Sequence, residues 1–262
     1  MNPNESLILS NRDARGVVTL TLHRPDQFNA LSEALMAELQ RQLDAIAGDE
    51  SVRVVVLAAS GKAFCAGHDL KEMRATPSTG YYQQLFQQCG KLMLSLQMLP
   101  VPVVARVQGT ATAAGCQLVA TCDLAVAASS AKFAVSGVNL GLFCSTPAVA
   151  LSRNLGRKAA FEMLVTGDFI SADQALHEGL INRVVEPDAL PAEALALAQR
   201  LAAGPTRALG QLRRLLRGSV ERDLPAQLAA EEAAFQACAA TADFREGVDA
   251  FFARRKPAFQ GR

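Results

Sequence analysis

The sequence predicts an α/β fold that ends in a helical region. Three observations carry this. Short apolar strands alternate with amphipathic helices as far as about residue 145. Beyond that point strand signals nearly vanish. Half of the 262 residues are hydrophobic, enough for one substantial core with a small helical appendage. Charged residues make up 19% and the net charge is +1, with no run of like charges long enough to suggest a nucleic-acid surface, so neither the field nor the surface of a nucleic-acid binder is expected.

The elements follow in order. A strand near residues 7–9, a turn through Asn11-Arg12-Asp13 and a second strand at 17–22 make a hairpin, the second strand alternating Val18, Leu20 and Leu22 with Thr19 and Thr21. Ser32 is placed to cap a helix whose stripe is Leu35, Leu39, Leu43 and Ile46. Residues 54–57 form a short buried strand, followed by a loop through Ser60-Gly61-Lys62. The strongest helix is 80–98, with Tyr82, Leu85, Phe86, Cys89, Leu92, Met93 and Leu96 on one face and Pro100 and Pro102 beyond its end. A strand at 103–107, a small-residue helix from about Ala114, a strand at 124–127 and a loop through Gly137 come next. Helices are then expected at 153–166 and at 172–177, the latter capped by Ser171, with a last strand at 181–185. Four more helices lie near 188–203, 205–218, 225–240 and 243–255.

Residues 1–10 match neither a secretory signal nor an Arg-rich transit peptide, and no apolar stretch reaches membrane-spanning length. Cys65, Cys89, Cys116, Cys122, Cys144 and Cys238 lack metal-type spacing and read as reduced, mostly buried thiols. The expectation is a soluble cytoplasmic protein with no membrane or nucleic-acid partner.

Three segments stand out for their chemistry. The first is Arg24-Pro25-Asp26-Gln27-Phe28-Asn29-Ala30-Leu31-Ser32. The second is Lys62-Ala63-Phe64-Cys65-Ala66-Gly67-His68-Asp69-Leu70-Lys71-Glu72-Met73. The third runs from Gly109-Thr110-Ala111 through Ala113-Ala114-Gly115-Cys116-Gln117-Leu118 to Cys122-Asp123. In this order and spacing they resemble the motifs of the enoyl-CoA hydratase (crotonase) family, and Thr166-Gly167, Ser171-Ala172 and the tail from Glu246-Gly247 to Lys256 extend the likeness. The resemblance implies a spiral of ββα units over about 1–195 and a helical region over about 196–262 used in oligomerisation and pocket closure. It also implies a homotrimer or homohexamer, and an acyl-CoA thioester as substrate or ligand with no metal or other cofactor.

A thioester gains acidity at its α-carbon when its carbonyl oxygen is stabilised as an enolate, and backbone N–H groups do this where the chain comes close. By resemblance the two donors are the N–H groups of His68 and Ala114, the latter at a helix N-terminus where free N–H groups and the dipole favour negative charge. The same resemblance lays Gln27, Phe28 and Ala30 along the CoA and Ala66, His68, Asp69 and Leu70 around the thioester. It puts Phe251 and Arg254 in a neighbouring subunit's nucleotide pocket, with Lys62, Lys71 and Arg254 as phosphate partners.

One departure matters. The family's hydratases use two glutamates, and their positions here fall on Gln117 and Gly137. An amide and a bare Cα exchange no proton near neutral pH, and general acid–base catalysis contributes roughly 10²–10⁴-fold, so classical hydration is expected to be weak. The pattern of Gln117 and this gap, with residues 141–147 after it, resembles the enoyl-CoA hydratase domain-containing protein 3 subgroup more than it resembles the true hydratases. His68 is the titratable group near the site. Ser136, Cys144, Ser145 and Thr146 are expected on loops nearby, and Asp69 and Asp123 read as backbone anchors. Three functions stay open: an acyl-CoA lyase, isomerase or hydrolase of altered chemistry; a non-catalytic acyl-CoA-binding or regulatory protein; and a Ser/Cys–His hydrolase on the related fold.

Overall fold

A computed structural model describes residues 6–262; the first half of the segment read against targeting signals lies outside them. Strand β1 (Ile8–Arg12) pairs antiparallel with β2 (Val17–Leu22). The turn between them sits two residues later than the sequence suggests. Asp13 builds it, accepting from the N–H groups of Arg15 and Val17 at 2.8 and 2.9 Å, and Gly16 completes it at φ +80°, pressed against the Ser51 carbonyl.

Helix α1 (Glu33–Ala47) begins where Ser32 Oγ accepts from Leu35 N–H at 3.2 Å, and it buries the predicted stripe together with Met36. Strand β3 (Val54–Ala59) is buried at every residue and runs two residues past its expected end. Strand β4 (Ala63–Cys65), only three residues long and without a period of its own, leads into α2 (Leu70–Ala75) and then α3 (Thr79–Met98). The next turn repeats this plan with β5 (Val103–Val107), β6 (Thr110–Thr112) and α4 (Ala114–Thr121). A third turn has β7 (Leu124–Ala128), β8 (Lys132–Ala134), a 3-10 turn at Ser136–Leu140 and α5 (Ser145–Ser152). Each pair of strands places one in a large sheet and one in a small sheet. The large sheet has the order β1-β2-β3-β5-β7 and is closed by the late strand β10 (Arg183–Val185). The small sheet is β4-β6-β8 with β9 (Ile170–Ser171). This is the expected spiral of ββα units.

The helix expected over 153–166 is α6 (Arg157–Thr166), which starts four residues later, after a turn at 153–156, and α5 precedes it where a loop was expected. Ser145 and Thr146 therefore lie in a helix rather than a loop, and Ser136 opens the 3-10 turn. Helix α7 (Ala172–His177) has its Ser171 cap as predicted. Helix α8 (Leu190–Ala202) lays Leu190, Ala194, Leu197, Ala198 and Ala202 on the outer face of the large sheet, against Val17, Val54, Val56, Val104 and Val126. A division after residue 195 thus falls inside one packed helix. Helices α9 (Thr206–Gly218), α10 (Leu224–Ala239) and α11 (Ala242–Phe252) complete the chain. The main core fills the other side of the sheet, where Leu20, Leu57, Phe64, Leu92 and Phe133 are fully buried, each contributing on the order of 1.5–3 kcal/mol by leaving water. Among the described residues no helix is long and apolar enough to cross a membrane.

Candidate functional site

Three neighbouring strands of the small sheet end at one edge. Strand β4 pairs parallel with β6 through Ala63↔Thr110 and Cys65↔Ala111, and β6 with β8 through Ala111↔Phe133 and Thr112↔Ala134. The residues that follow these strands, 66–68, 113–117 and 135–137, are side by side for that reason although far apart in the chain. The loop 28–31 flanks them. Leu31 N–H donates to the Gly67 carbonyl at 2.7 Å, Asp69 N–H to Leu31 at 3.2 Å and Ala66 N–H to Phe28 at 3.0 Å.

Small residues let two backbones meet. Gly67 adopts φ +89°, and a Cβ there would stand 2.8 Å from the Ala113 methyl and 3.3 Å from Ala114 N. A Cβ on Gly115 would fall 2.1 Å from the Cys65 carbonyl oxygen. Ala113 itself holds φ 50°, ψ −122°, a conformation natural to glycine that costs an alanine roughly 1–3 kcal/mol. That twist sends the Ala113 N–H to Ala134 O at 2.9 Å and starts α4 at the next residue. Among the described residues, the N–H groups of His68 and Ala114 donate to no protein acceptor, whereas those of Ala66, Asp69 and Ala113 are all engaged. Two unspent donors therefore lie on touching loops, one of them at the positive end of a helix buried at every residue.

Gln117, only 4% exposed, stands one turn into α4. Its Oε1 accepts from the Thr146 hydroxyl at 3.0 Å, and its Nε2 has no hydrogen-bond partner among the described residues. Gly137 donates its N–H to Cys144 Sγ at 3.2 Å, and a Cβ at Gly137 would be 2.9 Å from both the nitrogen and the sulfur of Cys144. The space a side chain would need is already filled by the 143–144 backbone and that thiol.

The titratable groups nearby are subdued by burial. The His68 ring packs edge-on against Phe86 with centroids 5.2 Å apart, and its Nε2 is buried without a partner. Burial lowers its pKa from 6.5 to about 4, so the imidazole is neutral at physiological pH. Cys65 and Cys116 are pushed up to about 12 by burial, and Cys144 is raised by burial although the Gly137 N–H opposes it. None presents a thiolate, and neither Ser136 nor Ser145 is hydrogen-bonded to His68.

Asp69 is an anchor. It caps α2 by accepting from Lys71 N–H at 3.0 Å and forms a buried ion pair with Arg24 at 3.1 Å. Arg24 also donates to the Ala30 carbonyl at 2.8 Å, and Asn29 ties the same loop to Ser60 and Ala63 at 2.8 and 2.9 Å. Phe28 and Asn29 are consecutive left-handed residues, at φ 50° and 53°. Gln27 is half-buried, Ala30 buried, and Phe28, Lys62, Leu70 and Lys71 are exposed around the cluster. Phe251 and Arg254 take no part in it within one chain: they are exposed at the end of α11, which packs on α10 and is pinned by the tail through Asp243. Sequence reasoning missed Thr146 as a partner of Gln117 and Cys144 as the occupant beside Gly137. Each contact depends on where α5 docks, and no local pattern announces it.

The family model described as enoyl-CoA hydratase/isomerase matches residues 12–262. The chain belongs to the enoyl-CoA hydratase/isomerase family. It is similar to the mouse mitochondrial enoyl-CoA hydratase domain-containing protein 3, with 40% identity over 254 residues covering 97% of this chain and 85% of that one. The crystal structure of an enoyl-CoA hydratase from Mycobacterium smegmatis superposes with a TM-score of 0.94 at 58% identity, covering 97% of this chain and 98% of that one. That of human enoyl-CoA hydratase domain-containing protein 3 gives 0.92 at 38% identity, covering 97% and 100%. These relatives bear out the crotonase fold and the subgroup resemblance. The cytoplasmic expectation is corrected by the same comparison, because the mouse relative is a mitochondrial protein. Reduced buried thiols and a soluble composition suit any reducing compartment, so they do not select the cytosol.

Proposed function

We propose that this enoyl-CoA hydratase/isomerase-family chain binds an acyl-CoA thioester and polarises its carbonyl between the backbone N–H groups of His68 and Ala114. The observation that carries the reading is the pair of unspent donors on loops brought into contact by Gly67 and Gly115. Fixed donors of this kind stabilise a developing enolate without reorganising. Gln27, Phe28 and Ala30 would lie along the CoA, Ala66, Asp69 and Leu70 around the thioester, and Lys62 and Lys71 within reach of its phosphates.

Classical hydration is expected to be weak. The positions where hydratases carry their two glutamates hold Gln117, whose carbonyl is bonded to Thr146, and Gly137, whose side-chain space Cys144 fills. Neither supplies a proton acceptor, and the neutral, Phe86-packed His68 does not replace one. The leading reading is enolate chemistry other than hydration. The spent state of these groups also favours a second reading, a non-catalytic acyl-CoA-binding protein. Helices α9–α11 leave Leu216, Leu228, Phe235, Phe251 and Phe252 exposed, which supports a homotrimer or homohexamer in which Phe251 and Arg254 meet a neighbour's nucleotide. Sedimentation of the purified chain tests that assembly.

Calorimetry with butanoyl-CoA and crotonyl-CoA tests the binding, and loss of the conjugated thioester absorbance of crotonyl-CoA tests the hydration. Binding with little or no hydration is expected. Failure of either ester to bind overturns the proposal, and efficient hydration overturns the role assigned to Gln117 and Gly137.

A further inference from the structure

An arginine stands unpaired on the outer face of the large sheet. Arg106, in β5, alternates with Ala105 and Val107 of the main core, so it shares with Val104 the face that α8 covers. Register sets it one step beyond the Leu57↔Ala105 pair, beside Ala58; Ala58 pairs with Thr21, and Thr21 with Leu9. Helix α8 packs chiefly on β3, β5 and β7, which leaves β1 and much of β2 uncovered beside it. The result is a groove of about 610 Å³, inside the range of roughly 300–1,000 Å³ usual for small-molecule sites. Thr19 and Thr21 form its floor. Pro191, Leu195 and Gln199, spaced four apart on one ridge of α8, form its wall, and Arg106 enters across the small Ala58. Among the described residues the Arg106 guanidinium makes no hydrogen bond or ion pair, and the Thr19 and Thr21 hydroxyls are unspent as well. Burial lowers the pKa of Arg106 with no carboxylate opposing it, in contrast to Arg213 beside Asp123. Arg106 still stays a cation, because arginine does not deprotonate in proteins. Asp13 is the one acidic side chain in the lining, and it is engaged at the hairpin turn by Arg15, Val17 and Gln199.

We infer that this groove binds a small carboxylate with a short apolar body, the carboxylate on Arg106 and the body along the ridge of α8. The lining selects that class. A guanidinium takes a carboxylate through two parallel N–H···O bonds, and the free threonine hydroxyls can donate to the same oxygens. Arg106 is the one cation in the lining, which suits a monoanion and leaves the second charge of a phosphate or a diacid unmatched. Leu9, Val56 and Leu195 supply apolar contact for the rest of the molecule. The groove is on the far side of the large sheet from the main core, which contains Phe64 of β4 and Phe133 of β8. It is therefore separate from the loops that carry His68 and Ala114, and it does not depend on the acyl-CoA reading.

The test is calorimetric titration of the full chain with hexanoate, with 1-hexanol, which has the same body and no charge, and with inorganic phosphate. Hexanoate is expected to bind about tenfold or more tightly than either of the others, as one charge-assisted pair allows. Arg106→Gln should remove that advantage. Leu195→Glu, which sets a carboxylate in the exposed wall and leaves Arg106 in place, should weaken hexanoate to a similar degree. Thermal melting identifies a variant that fails to fold, and the wild-type comparison of the three probes decides the matter without either variant. Adding butanoyl-CoA should leave hexanoate binding unchanged. Displacement of hexanoate by butanoyl-CoA would place the carboxylate at the thioester loops and overturn the inference. So would hexanoate bound no more tightly than 1-hexanol or phosphate, or bound equally by wild type and both folded variants, which would leave Arg106 as a solvated cover for the sheet.

Discussion

Gly67 shows how much of the site hangs on single atoms. At its φ of +89° a Cβ would stand 2.8 Å from the Ala113 methyl, so there is no room for one. Gly67→Ala is therefore expected to destabilise the chain by about 1–3 kcal/mol and to weaken thioester binding at least tenfold, read by thermal melting and calorimetry. Gly137 makes the same point from the other side. Gly137→Ala should lower the melting temperature because its methyl would have to displace Cys144, so adding a glutamate at 137 is not a simple restoration of a hydratase. His68 supplies a pH signature. The folded chain keeps this ring neutral down to about 4, whereas the unfolded chain protonates it near its ordinary 6.5. Between those values the unfolded state binds more protons, so stability falls as pH drops from 6.5 toward 4, by up to about 3 kcal/mol from this group. Urea titrations across that window should show a flatter profile in His68→Leu.

At the scale of elements, the site loops are held by polar ties that their sequences already contain. Arg24 links loop 24–31 to the start of α2 through Asp69, with both side chains about nine-tenths buried. Arg24→Met strands the Asp69 carboxylate and should cost roughly 3–5 kcal/mol, seen as a lower denaturant midpoint. Adding Asp69→Asn should recover part of the loss, since asparagine still caps the Lys71 N–H and carries no charge. The three short strands β4, β6 and β8 do different work: each is only three residues long, and their parallel pairing lines up the ends that carry 66–68, 113–117 and 135–137.

Across the whole molecule, the C-terminal helices are joined to the spiral by a latch. Arg213, 7% exposed, donates to the carbonyls of Leu96, Gln97 and Leu99 at the end of α3 and to Asp123 before β7, all at 2.5–2.6 Å. Arg217 reinforces it, reaching Asp123 and the Thr121 carbonyl at 2.7 Å. Burial lowers the pKa of Arg213 while Asp123 opposes the shift. Lysine lacks the planar fork that serves four acceptors at once. Arg213→Lys should thus loosen α9 while leaving the sheets intact, a selective gain in hydrogen exchange over 206–218 together with about 2–4 kcal/mol of lost stability.

Much of this was legible in the chain. The amphipathic periods of α1 and α3, the caps at Ser32 and Ser171, and the motif segments around Asn29, Gly67 and Gly115 are local, and local signals suffice where a helix repeats its pattern over several turns or a glycine marks a close approach. By itself the sequence determined the α/β class, the helical C-terminal region, the family likeness and the residues at which the chain must be small. It did not reveal β4, β6, β8 and β9, because two or three residues carry no readable period, nor α5, which starts at Ser145 without a side-chain cap. Only the tertiary structure decided which N–H groups are left unspent, that Cys144 fills the space at Gly137, and that Thr146 donates to the Gln117 amide oxygen. These contacts join residues from 7 to 46 positions apart, and their geometry is set by strand register and helix docking, which no stretch of neighbouring residues encodes.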